Sequence, residues 1–77
     1  MNSKRIEVKS DVTGSVWKIE TTVGALVEEG DSILVVESMK MEIHLAAPQS
    51  GRVVELLIAE GAPVADEQVI AILEVPA

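Results

Sequence analysis

The sequence predicts an all-β fold, a flattened β-barrel or sandwich built from two pseudo-symmetric four-stranded halves. Three observations carry that expectation. Twelve valines, seven isoleucines and six leucines stand against one tryptophan and no phenylalanine or tyrosine, and branched side chains of this kind favour strands over helices. A shift of 37 residues lays the chain over itself without a gap. Finally, no segment joins a cap to ten or more residues of helical period; Glu55 to Ala62 comes nearest and meets Gly61 too soon.

The repeat is specific. Gly14 falls on Gly51, Val16 on Val53, Gly24 on Gly61, Ala25 on Ala62, Val27 on Val64, Ile33 on Ile70 and Glu37 on Glu74, seven identities in the 24 positions from 14 to 37. Trp17 with Val54, Ile19 with Leu56, Val35 with Ile72 and Val36 with Leu73 keep apolar character. Clustering at glycines within one register points to a duplication.

Each copy reads as strand, turn, short strand, strand. In Gly14 to Glu20, Trp17 and Ile19 alternate with Lys18 and Glu20, the pattern of a half-buried strand with Trp17 in the core. Gly24 and Gly61 follow as turn residues available for positive φ. Ile33 to Val36 and Val69 to Leu73 are apolar runs without polar alternation, as expected of strands buried on both faces. Pro63 and Pro76 suit strand edges or ends. Neither copy can close a core alone, so the two should pack face to face as a small sandwich or flattened barrel.

Between the copies lies Ser38 to Ser50. Ile33 and Val35 are expected to share one face of the strand before it, and Met41, Ile43 and Leu45 one face of the strand after it, with Glu42 and His44 pointing the other way. Those strands make a tight hairpin with Lys40 at or beside its tip. Two-residue hairpin turns prefer Asn-Gly, Asp-Gly or Gly-Gly; this one offers methionines around a lysine instead. A local rule broken without structural gain is the mark of a functional site.

Composition bounds what the chain can do. Seventy-seven residues make a single domain, 1–77, whose small core leaves little volume for an enclosed substrate pocket. The net charge of −7, with six dispersed basic residues, argues against nucleic acid. The longest apolar run, Val69 to Leu73, is far short of a membrane span, and no apolar stretch follows Lys4 and Arg5 as a signal peptide would require. Absence of cysteine removes thiolate chemistry and suits a cytoplasmic setting. His44 has no second ligand for a metal, and Glu28-Glu29-Gly30-Asp31 reads as a solvated turn rather than a cation loop. No catalytic residue and no metal site are expected.

Glu37-Ser38-Met39-Lys40-Met41-Glu42 resembles the biotin-attachment motif of biotinyl domains, in which the central lysine carries biotin through an amide bond. The usual spelling has alanine where this chain has Ser38. The resemblance spans Val8 to Glu74 and implies the architecture shared by biotinyl and lipoyl domains, the barrel-sandwich hybrid, with the modified lysine on a hairpin opposite the termini. It implies Lys40 as the covalent attachment point, and Glu37, Ser38, Met39, Met41 and Glu42 as the residues a biotin protein ligase recognises. The protein would then be no enzyme but the carrier of a biotin-dependent carboxylase such as acetyl-CoA carboxylase. It would move a carboxyl group from a biotin carboxylase to a carboxyltransferase, both on other polypeptides or domains. Tethering makes each encounter nearly intramolecular.

Two other readings stand beside it. Lipoyl domains resemble this chain but usually place an acidic residue before the lysine and alanine after it, where Met39 and Met41 stand here. Unmodified biotinyl-lipoyl-like segments of membrane-fusion adaptors lack Met-Lys-Met. With no Pro/Ala linker, and with Glu20 to Val27 too short for the protruding insertion of some bacterial carriers, the chain reads as a compact free-standing carrier or an excised domain. Met1 favours the former.

Overall fold

Glycine sets the turns. Gly24, Gly30 and Gly61 hold φ of 95°, 93° and 85°, values that a side chain disfavours, and the apolar runs between them become strands. The computed structural model describes residues 3–76. Eight strands follow in chain order: β1 Ser3–Lys9, β2 Gly14–Ile19, β3 Leu26–Val27, β4 Ser32–Ser38, β5 Met41–Ala46, β6 Gly51–Leu56, β7 Pro63–Val64 and β8 Val69–Pro76. No helix occurs among the described residues.

The strands form two antiparallel sheets of four, ordered β1-β8-β6-β3 and β5-β4-β2-β7. The fold is the predicted one, and the 37-residue shift reaches further than the identities do. It sends β2 onto β6, β3 onto β7 and β4 onto β8, and it also sends Lys4 to Lys9 of β1 onto Met41 to Ala46 of β5. Under this exchange the first sheet becomes the second, strand for strand. The copies therefore interlock rather than pack face to face, each sheet taking two strands from either copy. Neither half has a sheet of its own.

Hydrogen bonds outside the ladders obey the same exchange. Ser10 N–H to Gln68 O is matched by Ala47 N–H to Asp31 O, and Glu67 N–H to Ser10 O by Gly30 N–H to Ala47 O. Between the sheets, Val16 donates to Ala62 O and accepts from Gly61 N, while Val53 donates to Ala25 O and accepts from Gly24 N. These bonds give the repeated Val, Gly and Ala their reason. Gly14 and Gly51 have another: each lies against a carbonyl, of Glu37 and Glu74 respectively, where a Cβ at Gly51 would fall 2.5 Å from the oxygen.

The core is aliphatic, as expected. Val16, Ile33, Leu34, Val36, Val53, Ile70, Leu73 and Val75 are almost wholly enclosed between the sheets. Facing is not quite what alternation suggests. A register shift between Ser32 and Leu34 turns Ile33 into the core together with Leu34 and Val36, which lie opposite Leu45 and Ile43. Val35 is buried as well but stands apart from that cluster, beside Lys18 and His44 in the ladder.

Trp17 departs most from expectation. It is 53 % exposed because β2 carries a bulge: Val16 pairs with Val36 and Lys18 with Val35, leaving Trp17 as the extra residue. β6 repeats the bulge at Val54, between Val53 opposite Leu73 and Glu55 opposite Ile72. Strict alternation fails at such a residue, so the core reading of Trp17 is corrected. Trp17→Val should then change stability by no more than about 0.5 kcal/mol, and native fluorescence should resemble a solvated indole. A blue-shifted emission, or a loss of several kcal/mol in denaturant titration, would return Trp17 to the core.

The body measures 43 × 18 × 18 Å. The exchange carries the β4–β5 hairpin tip onto the paired ends of β8 and β1, where Lys4 meets Val75 as Met41 meets Ser38. The described ends thus lie side by side at one extremity of the body, with the hairpin at the other.

Candidate functional site

Strand β4 delivers Glu37 and Ser38 to the tip, and β5 takes the chain back through Met41 and Glu42. Ser38 pairs with Met41 and Glu37 with Glu42, so Met39 and Lys40 alone make the turn. Their φ values are 51° and 66°, positive at both central positions as a type I′ turn demands. Neither residue is glycine or asparagine. Left-handed backbone costs roughly 1–2 kcal/mol per ordinary residue, and strain of this kind persists where the surrounding structure over-determines it. The well-packed β4 and the ladder on both sides provide that restraint.

The result is a rigidly supported lysine projecting into water. Lys40 is exposed, Met39 is 93 % and Met41 64 % exposed. Neither methionine fills a gap in the core. An open depression of about 680 Å³ lined by Lys18, Glu20, Thr22, Leu26 and Ser32 lies elsewhere and includes no tip residue. The lysine's surroundings therefore leave its side chain free to be reached by another protein.

Glu37 and Glu42 face each other directly across the ladder, both exposed, and like charges so placed are destabilising. Their counterparts at the other extremity are Glu74 and Arg5, opposite charges, with Arg52 on the other side of Glu74. The acidic pair is a feature of the lysine end alone.

Sequence reasoning missed Thr13. Its Oγ1 accepts from the Asp66 N–H at 3.1 Å, and its carbonyl accepts from Ser38 Oγ at 2.8 Å, which ties the hairpin base to two connections. A signal was available: Thr13 precedes Gly14 as Ser50 precedes Gly51, a hydroxyl at one place in both copies.

His44 lies on the outer face of β5. Ser32 Oγ donates to Glu20 Oε1 at 2.7 Å, and a serine has one proton to give. The contact of 2.9 Å between His44 Nδ1 and that hydroxyl is therefore donated by the ring. Glu20 Oε1 lies 3.4 Å from the same nitrogen. The Ser32 hydrogen bond, helped by His44 and Lys18, holds the Glu20 carboxyl below its ordinary value. No cluster of three or more acidic, histidine or cysteine ligands for a metal occurs among the described residues.

A small β body that holds one lysine out on a strained turn, away from its open depression, defines a class: a domain built to present a side chain to other proteins. Residues 6–73 match the family model described as "Biotin-requiring enzyme", Biotin_lipoyl. The chain is 39 % identical over 54 residues to a biotin/lipoyl attachment protein of Bacillus subtilis, covering 70 % of this chain and 74 % of that one. It is 33 % identical over 67 residues to the urea amidolyase of Saccharomyces cerevisiae, covering 87 % of this chain but 4 % of that protein. Among solved structures, the urea carboxylase of Kluyveromyces lactis superposes with a TM-score of 0.86 at 33 % identity, over 91 % of this chain and 6 % of that one. The chain belongs to the biotin/lipoyl attachment family.

Proposed function

We propose that the protein is a biotin carboxyl carrier, a single domain over residues 1–77 whose Lys40 receives biotin from a biotin protein ligase. The observation that carries this reading is the turn itself. Two non-glycine residues are held at positive φ to put one lysine on a solvent-facing tip between two exposed methionines. In a family of attachment domains, that is where attachment chemistry has its access.

Each residue then has a part. Lys40 Nζ, once the ligase has taken its proton, attacks the acyl carbonyl of the biotinyl adenylate; one amide bond forms, the acyl–phosphate bond breaks and AMP departs. Five cations then face thirteen acidic groups, moving the net charge from −7 to −8. Met39 and Met41 give the ligase soft apolar flanks to cover, and Glu37, Ser38 and Glu42 complete the recognised surface. Attached biotin would supply a ureido nitrogen able to accept and release a carboxyl group. The chain itself contributes presentation and reach, in a cytoplasmic setting, to a biotin carboxylase and a carboxyltransferase. Likeness to a urea carboxylase supports the carboxylase side.

The alternative is a lipoyl carrier or a dual biotin/lipoyl attachment protein, favoured by the likeness to a biotin/lipoyl attachment protein. Intact mass spectrometry decides between them, using protein made in a host with both ligases and both vitamins. We expect predominantly the biotin mass increment, mapping to Lys40. A chain carrying mostly lipoate would overturn the carboxylase reading, and one carrying neither would overturn attachment.

A further inference from the structure

The two halves answer to the same packing, so a contact present in one and absent from the other is not demanded by the fold. Hydroxyl contacts near the two extremities can be compared on this footing. Thr13 Oγ1 accepts from the Asp66 N–H at 3.1 Å, and its counterpart Ser50 Oγ accepts from the Glu29 N–H at 3.1 Å. That bond belongs to the common plan. Ser38 Oγ donates to the Thr13 carbonyl at 2.8 Å. Its counterpart, 37 residues on, is Val75, which has no hydroxyl. This bond exists only at the lysine end.

Its position is informative. Ser38 and Met41 are the last paired residues of the β4–β5 ladder, and beyond them lie only Met39 and Lys40 at φ of 51° and 66°. Strain at the turn works to open this final pair. A bond from Ser38 to the connection between β1 and β2 opposes that opening from outside the hairpin, and Thr13 is itself fixed to the connection between β7 and β8 through Asp66.

We propose that Ser38 is a positioning residue for the modification of Lys40: its hydroxyl, bonded to the Thr13 carbonyl, locks the hairpin base so that the strained turn keeps the lysine in one presentation. The modification half of this rests on the attachment reading above; the locking half does not. The hydroxyl makes no contact with Nζ in this role. It acts through the backbone of the turn.

The test compares wild type with Ser38→Ala and Ser38→Thr. Amide hydrogen exchange at Ser38 and Met41, the last paired residues before the turn, should accelerate roughly 2- to 10-fold in Ser38→Ala, the range expected for losing one ordinary hydrogen bond. Exchange at the core amides of Val36 and Leu73 should not change. With biotin, ATP and a biotin protein ligase, the KM for the unmodified domain should rise measurably, by up to that factor, at unchanged kcat, because a smaller fraction of molecules presents the lysine correctly. Ser38→Thr, which restores a β-carbon hydroxyl, should restore both. Tip exchange in Ser38→Ala equal to wild type would overturn the proposal. So would uniform acceleration of core and tip, which would make Ser38 an ordinary stabilising residue. Faster tip exchange with unchanged KM would overturn the modification half. If the wild-type chain accepted neither biotin nor lipoate, the attachment reading would fall with it, and the exchange comparison would still decide the lock.

Discussion

Lys40→Arg should abolish modification completely while leaving the fold as it is. Arginine keeps the positive charge and the length of the side chain, and the position is exposed at the tip, so stability should stay within about 0.5 kcal/mol. The guanidinium offers no free amine at neutral pH, and acyl transfer needs one. Incubated with ligase, biotin and ATP, the wild type should become avidin-reactive as a single species and the variant should stay unreactive. The other lysines, Lys4, Lys9 and Lys18, stand in β1 and β2 rather than in a hairpin turn. Avidin binding that survives in Lys40→Arg would show that one of these is used instead and would sink the assignment.

Gly51→Ala and Gly14→Ala should both destabilise severely, with different consequences for the lysine. At Gly51 a Cβ would lie 2.5 Å from the Glu74 oxygen and 2.8 Å from Val75 Cγ1; at Gly14 it would overlap the Glu37 oxygen and lie 2.9 Å from Val36 Cγ1. The obstructing atoms are backbone and enclosed side chain, which cannot swing away. Overpacking typically costs about 1–3 kcal/mol, and an obstruction by backbone puts both sites at the upper end of that range. A chain of this length holds only about 4–12 kcal/mol at the usual per-residue stability. Denaturant midpoints should fall far in both variants. Gly14→Ala should also slow modification in the molecules that remain folded, since Glu37 leads directly into the hairpin, whereas Gly51→Ala acts at the other extremity and should spare it. Stability within 0.5 kcal/mol of wild type in either variant would mean that the neighbouring strands can separate there, contrary to the geometry.

Much of this was legible in the sequence because the chain states it twice. Turn glycines, buried runs at Ile33 to Val36 and Val69 to Leu73, and a hairpin around Lys40 follow from spacing and polarity, which are local properties. The bulges at Trp17 and Val54 were not legible, since an inserted residue changes which face each later side chain takes and the cue lies in the partner strand. The correspondence of β1 with β5 was hidden for a different reason. Only Ile6 and Ile43 are identical across it, and strands that need merely be apolar on alternate residues drift apart in spelling. The turn conformation was visible only as a missing rule: Met39 and Lys40 take the positive φ reserved elsewhere for Gly24, Gly30 and Gly61. Glu67 does the same where Gly30 stands in the first copy. The Ser38 bond joins residues 25 apart and leaves no trace in either neighbourhood.

The separation of chain ends and hairpin makes the body itself a spacer. Any polypeptide joined to either end departs from the extremity that the lysine does not occupy, so the fold adds up to its own length of 43 Å between attachment point and tip. A flexible glycine-rich strand would need about 60 residues to cover that distance on average, with an r.m.s. span of roughly 5–6 Å times the square root of residue number. It would also wander. Packed into strands that run back and forth along a stiff rod, fewer than eighty residues hold the distance constant, and a search by the lysine arm starts from a boom rather than from a rope.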